Sequence, residues 1–208
     1  MYVPAHFAAD GAVVGDLLSG HGAGDLVTAT PGGLRSTLLP FLHDPAAGEH
    51  GTIAAHLARN NDQWQQETLG EALLIIRGPD AYISPTWYPS KAEHGRVVPT
   101  WNYLTVHVYG ALVVHDDPVW VDAHVRRLTG SHEAPGGWSV DDAPAAFIAG
   151  QVRAIVGVEL IISRVEAKAK ASQNRQPADV EGVIAGLTAR GDTASADAVR
   201  RARDHRGR

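Results

Sequence analysis

Chemistry in this sequence has to come from histidine, arginine, hydroxyl and aromatic side chains, because its 208 residues hold eleven histidines and no cysteine. The lack of cysteine removes disulfide frameworks, thiol nucleophiles and Cys-ligated zinc or iron–sulfur centres together. The segment Gly51-Thr52-Ile53-Ala54-Ala55-His56-Leu57-Ala58-Arg59-Asn60-Asn61-Asp62-Gln63-Trp64 reads as a strand ending in a His, an Arg and two Asn before a short helix. The first turn of a helix has unpaired N–H groups and the positive end of its dipole. An anion at this junction would be held by those donors and by a charge-assisted bond from Arg59. The competing reading is structural, with Arg59 in a surface salt bridge and Asn60 capping the helix. These residues alone leave both open.

A second segment gathers aromatic side chains. Tyr82-Ile83-Ser84-Pro85-Thr86-Trp87-Tyr88-Pro89-Ser90-Lys91 and Val98-Pro99-Thr100-Trp101-Asn102-Tyr103 together hold two of the five Trp and three of the five Tyr. Such a cluster can wall a flat ligand, with Asn102 or a hydroxyl reading its heteroatoms. It can equally build a core or a subunit interface. A phosphate site and an aromatic wall on one scaffold point jointly to a phosphorylated planar cofactor, and flavin mononucleotide (FMN) fits that description without a Rossmann motif.

Several chemistries lose their usual signatures. G-x-x-x-x-G-K-[ST], G-x-S-x-G and H-E-x-x-H are all absent. Gly20-His21-Gly22-Ala23-Gly24 precedes a strand, whereas the dinucleotide fingerprint follows one and opens a helix, so it reads as a flexible loop. The histidines are scattered, and only His107 and His115 fall on one expected strand, so no metal site is assigned.

The elements that must position these residues follow from periodicity. With 44% apolar and 20% charged residues, the chain expects a folded core. No run of about 18 apolar residues and no basic-then-apolar leader is present, so neither a membrane span nor a secretory signal is expected, and a cytoplasmic address fits. A helix is expected within His6–Ser19. Strands are expected at Asp25–Thr30, Arg35–Leu42, Gly51–Leu57, Ala72–Ile76 (buried on both faces), Asp80–Ser84, Val97–His115 and Ala154–Val165, with a hairpin at Pro31-Gly32-Gly33. In the sixth of these, Tyr103, Thr105, His107 and Tyr109 alternate with Leu104, Val106, Val108 and Gly110, placing the two sets on opposite faces. Helices are expected at Pro118–Leu128, Ala143–Gln151 and as a C-terminal pair parted at Gly191-Asp192. Successive strands without β-α-β alternation predict a mainly β, α+β fold, an antiparallel barrel of six or seven strands with peripheral helices. One domain is expected: an N-terminal helix in 1–24, a barrel over 25–166 with a helical insertion at 116–151, and a C-terminal helical appendage over 167–208.

The sequence resembles the FMN-binding negative transcriptional regulator (PaiB) family, split-barrel flavin proteins similar to pyridoxamine-phosphate oxidases. The resemblance rests on Met1-Tyr2-Val3-Pro4 with His6-Phe7, His56-Leu57-Ala58-Arg59 with Asn61 and Trp64, Tyr82-Ile83-Ser84-Pro85 with Trp87-Tyr88 and Lys91, Val98-Pro99-Thr100-Trp101-Asn102-Tyr103 with Val106-His107 and Gly110, Leu128-Thr129 with His132-Glu133, and Lys168 with Lys170, Ser172-Gln173-Asn174-Arg175. It implies a homodimer of split β-barrels with FMN at the subunit interface. Thr37 and His56, Leu57, Ala58, Arg59 and Asn60 would line the phosphate and ribityl side. Trp101, Tyr103, Lys170, Ser172 and Gln173 would form the wall contributed from the other side, with Lys91 and Arg35 as weaker candidates.

Three functions remain open on the sequence. The first is a flavin-binding dimer that affects transcription, although no helix-turn-helix is evident. Residues 1–160 carry 8 Lys+Arg against 17 Asp+Glu, which opposes DNA, while 161–208 carry 10 against 6. The second is a flavin-dependent oxidoreductase acting on a small molecule, with no nameable catalytic acid or base beyond His56, His107 and Tyr103 as titratable groups near the cleft. The third is a flavin-free binding module, motivated by Asn60 and by Asp62, whose carboxylate would oppose an anion.

Overall fold

The computed structural model describes residues 1–20 and 22–206. His21 of the glycine-rich segment and the last two residues lie outside the described residues. Strands β1 (Ala23–Thr30) and β2 (Gly33–Asp44) form the expected hairpin across Pro31-Gly32. Gly33 makes the turn possible, since its φ of 104° is open only to glycine at little cost. β3 (Thr52–Ala58) pairs with the end of β2 from Phe41 to Asp44 and, over its whole length, with β6 (Ile155–Lys170). With β4 (Ala72–Ile83) and β5 (Thr100–His115), the strands close into a barrel in the order β1-β2-β3-β6-β5-β4. The fold is therefore the antiparallel barrel with helices that periodicity predicts, closed through β2 only from Phe41 to Asp44.

Two expected strands fuse. Ala72–Ile76 and Asp80–Ser84 are one strand, because pairing with β1 stops at Ile76 and Pro79 therefore removes no bond from that ladder. Nor is the apolar run buried on both faces: Ala72, Leu74 and Ile76 are buried, whereas Leu73 and Ile75 are only half-buried. The expected helix at His6–Ser19 divides into a 3-10 turn at Ala5–Phe7 and α1 (Gly11–Ser19). Ala8 is extended and bridges Lys168, and Asp10 Oδ1 accepts from Val13 N at 2.8 Å to start α1 afresh.

The chain forms two compact units. The first comprises Gly15–Ile76 and His107–Glu166. Its interior is packed by Leu26, Leu39, Ile53, Leu74, Val158 and Leu160, around a void of only about 10 Å³. That space is too small for any organic ligand, so binding has to occur elsewhere. Helix α3 (Pro118–His132) starts with Asp117 accepting from Val119 N and Pro118 in the first turn, and α4 (Ala145–Arg153) follows. Two glycines permit close approach: a Cβ on Gly110 would stand 2.0 Å from Ile161 O, and one on Gly157 would stand 2.2 Å from the Trp120 ring.

The second unit comprises Met1–Val14, Arg77–Val106 and Ala167–Arg208. Helices α5 (Pro177–Ala189) and α6 (Thr193–Arg206) turn at Gly191, whose φ is 76°. They bury Val183, Ile184, Leu187, Ala196 and Val199 against Ala81, Ile83 and Tyr88. The Trp87 ring lies on Gly186, and its carbonyl on Gly182. The short helix α2 (Ser90–His94) is tied to α5 where buried Asp179 accepts from Ser90 N at 3.1 Å and Ser90 Oγ at 2.8 Å. Among the described residues no helix is long and apolar enough to cross a membrane.

Candidate functional site

In the first unit the segment after β3 is built as an anchor. The Arg59 guanidinium pairs bidentately with Asp116, at 2.6 and 3.2 Å, and donates to the carbonyls of Arg153 at 2.7 Å and Ile155 at 3.1 Å. The Arg59 hydrogen bond holds the Asp116 carboxyl below its ordinary range. Arg59 thus occupies the structural alternative left open by its sequence context, and its charge is already met. The cap of the following 3-10 turn is Asn61, not Asn60: Asn61 Oδ1 accepts from Gln63 N at 3.0 Å. Asn60 and Ala58 are exposed, while Leu57 is sealed in the core.

Thr37 sits in a closed polar relay. Its hydroxyl donates to Gln63 Oε1 at 2.6 Å and accepts from Asn61 Nδ2 at 2.8 Å. Gln63, buried, carries the relay inward through Nε2 to Leu26 O and Thr28 Oγ1. The relay satisfies a polar cluster that would otherwise be costly at the barrel wall. Asp62 has its own counter-charge, since Arg35 on β2 approaches to 3.7 Å. The carboxylate that opposes an anion is therefore partly compensated.

His56 leads into a second array. Its Nδ1 lies 3.2 Å from Nε2 of His124 on α3. His124 stacks near Trp120, which stacks on His115 at a centroid distance of 4.1 Å, and His115 Nε2 meets Glu159 Oε2 at 3.0 Å. Burial pushes His56 below the ordinary histidine value. His124 is lowered to about 4, by burial first and then by the nearby His56 and Arg127. The sequence carries no signal for His124, Trp120 or Gln63: the first two arrive on α3 and the third on the 3-10 turn after β3, placed by long-range packing.

The second unit holds the other expected residues. Lys170 Nζ donates to Thr100 Oγ1 at 2.7 Å and to the carbonyl of Trp101. Lys168 Nζ lies 5.9 Å from the Tyr2 ring and 5.4 Å from the Tyr103 ring, and the Arg175 guanidinium covers Tyr88 at 4.6 Å. Burial, with Arg175 and Lys168 nearby, lowers the Lys170 ammonium below its ordinary value. None of these three cations has an acidic partner among the described residues. Asn102, 4% exposed, donates through Nδ2 to Ser172 Oγ at 2.9 Å, but its Oδ1 is buried without a donor. Ser172 is held at φ 64°, a strained conformation for a residue with a Cβ. Gln173 folds its amide back onto Ala171 N and Ala169 O, and a pocket of about 220 Å³ opens beside Ser172, Gln173 and Arg175. Trp101 stays 55% exposed, with its ring edge-on to Tyr82. Lys91 is exposed.

These donors fit a phosphorylated planar ligand: cations lacking counter-ions, exposed aromatic surface and a buried acceptor awaiting a partner. A family model described as "Putative FMN-binding domain" matches residues 1–164. The protease synthase and sporulation protein PAI 2 of Bacillus subtilis is 30% identical over 189 residues, covering 88% of this chain and 87% of that protein. The chain belongs to the PaiB family of FMN-binding proteins. FMN is the cofactor of that family, and the split barrel its fold. Two solved structures share the PaiB-type fold at low identity. The flavocytochrome Anf3 of Azotobacter vinelandii is 13% identical with a TM-score of 0.52, over 77% of this chain and 67% of that one. A conserved hypothetical protein of Mycobacterium tuberculosis is 12% identical with a TM-score of 0.55, over 85% of this chain and 94% of that one.

Proposed function

We propose that this PaiB-family chain is an FMN-binding homodimer whose effect on transcription depends on the flavin and not on a duplex-reading surface of its own. The reading is carried by the acid-free cations Lys168, Lys170 and Arg175 beside aromatic rings and the orphan Asn102 Oδ1. One copy offers Thr37 and residues His56 to Asn60 to the ribityl side, and a second copy supplies Trp101, Tyr103, Lys170, Ser172 and Gln173. Because Asp116 already neutralises Arg59, the phosphate charge falls to the lysines and Arg175. When bound, FMN supplies reversible electron transfer. Support for the dimer comes from β2, where residues 33–40 pair with β1 alone and leave Leu34 and Leu38 exposed.

Direct DNA contact is disfavoured because Arg190, Arg200 and Arg203 are engaged within their own unit. Arg200 pairs with Asp197, Arg203 with Glu181 and Asp204, and Arg190 covers Trp87. The decisive experiment is an FMN titration of the purified protein, followed by absorbance and fluorescence, with a low-salt gel shift alongside. Near-stoichiometric flavin without duplex binding is the expected result. A protein that ignores added FMN leaves only the flavin-free module, and micromolar duplex binding overturns the indirect role.

A further inference from the structure

Two histidines from different elements meet at 3.2 Å, and only one proton arrangement suits their surroundings. His124 is 3% exposed, and its Nδ1 is buried without any hydrogen-bond partner. A buried N–H with no acceptor is rarer and costlier than an acceptor with an unused lone pair. The proton of His124 therefore belongs on Nε2, which donates to His56 Nδ1. That leaves the His56 proton on Nε2, the ring nitrogen that takes no partner among the described residues.

We propose that His124 is a positioning residue that locks His56 as its Nε2–H tautomer, so that His56 offers a hydrogen-bond donor to the oxygen-rich phosphate–ribityl half of the flavin. The ligand half of this inference rests on the FMN-binding reading above; the tautomer half does not.

The geometry also resists protonation of His56. A proton added to His56 Nδ1 would face the His124 Nε2–H, and relief would require moving the His124 proton onto its buried, partnerless Nδ1. Among the described residues no carboxylate pairs with either ring to reverse this. Arg127 on α3 reaches Asp44 of β2 at 3.4 Å, and Glu159 of β6 is taken by His115 of β5 on the far side of Trp120. Arg59 and Asp116 neutralise each other.

The test uses the full chain labelled with 15N-histidine and two variants. His124→Gln keeps an N–H donor at the same place, whereas His124→Leu removes it while filling the buried site. In long-range 1H–15N spectra of the flavin-free protein, His56 should be a single Nε2–H tautomer in wild type and His124→Gln, and a mixture in His124→Leu. FMN affinity at pH 8 should fall about two- to tenfold in His124→Leu, recover at pH 6 where the unlocked His56 protonates and carries a proton on both ring nitrogens, and stay near wild type in His124→Gln. A His56 Nδ1–H tautomer in the wild type overturns the lock whatever the flavin does. The predicted tautomers together with no FMN binding by the wild type overturn the flavin reading and the ligand half with it. FMN binding that is equally tight and equally pH-independent in all three proteins overturns the role of the lock in binding.

Discussion

At the scale of single residues, burial without compensation makes two groups pH-sensitive in opposite settings. His124 is neutral in the fold and titrates near 4, while an unfolded histidine titrates near 6.5. Between those values the unfolded chain binds a proton that the folded chain does not, so stability rises with pH across the window and is lost as the solution is acidified through it. The loss is on the order of 3 kcal/mol for this one group. Urea melts at pH 7 and pH 4.5 should therefore differ, and His124→Gln should shrink the difference. Lys170 behaves differently. Its ammonium is lowered by burial and by Arg175 and Lys168. An anion needs the charged form, so FMN affinity should weaken as pH rises through the lowered value, below the ordinary lysine range. Fluorescence titrations from pH 7 to pH 10 would check this, and Lys170→Gln should remove the dependence.

At the scale of elements, glycines decide how closely neighbours approach, and the sign of a Gly→Ala change depends on what stands opposite. On α5, alanine at 186 would put its Cβ 2.3 Å from the Trp87 ring, and at position 157 on β6 it would strike Trp120. Gly186→Ala and Gly157→Ala should each cost about 1–3 kcal/mol by overpacking, even though the helical change gains propensity. Gly130, on the exposed side of α3, has nothing within 4 Å of an added Cβ. Gly130→Ala should stabilise by about 0.5–1 kcal/mol. Thermal melts of the three variants would read these signs directly.

At the scale of the whole molecule, the C-terminal helices and the exposed part of β2 carry the testable consequences. Deleting residues 177–208 would bare Ala81, Ile83 and Tyr88, which α5 and α6 cover. The truncated chain should aggregate or lose cooperative melting, unlike a chain from which a solvated tail had been trimmed. If β2 seats a second copy, Leu34→Asp with Leu38→Asp should yield monomers by light scattering and release flavin together. Retention of flavin by such a monomer would count against a site completed by two copies.

Much of the fold was legible because it depends on local pattern. Period-two alternation over Tyr103–Gly110 marked β5, Pro31-Gly32-Gly33 marked the hairpin, and Gly191-Asp192 marked the turn between α5 and α6. The fused strand β4 was not legible, because whether Pro79 interrupts a ladder depends on where its neighbour stops pairing. The residues of the site divide in the same way. The sequence by itself determined which segments carry basic, amide and aromatic side chains, since composition and order are local properties. Only the tertiary structure decided that Arg59 is consumed by Asp116, that Lys168, Lys170 and Arg175 are left without counter-ions, and that His124 meets His56. Arg59 meets Asp116 from 57 residues away and His56 meets His124 from 68, so those outcomes exist only once the chain closes on itself.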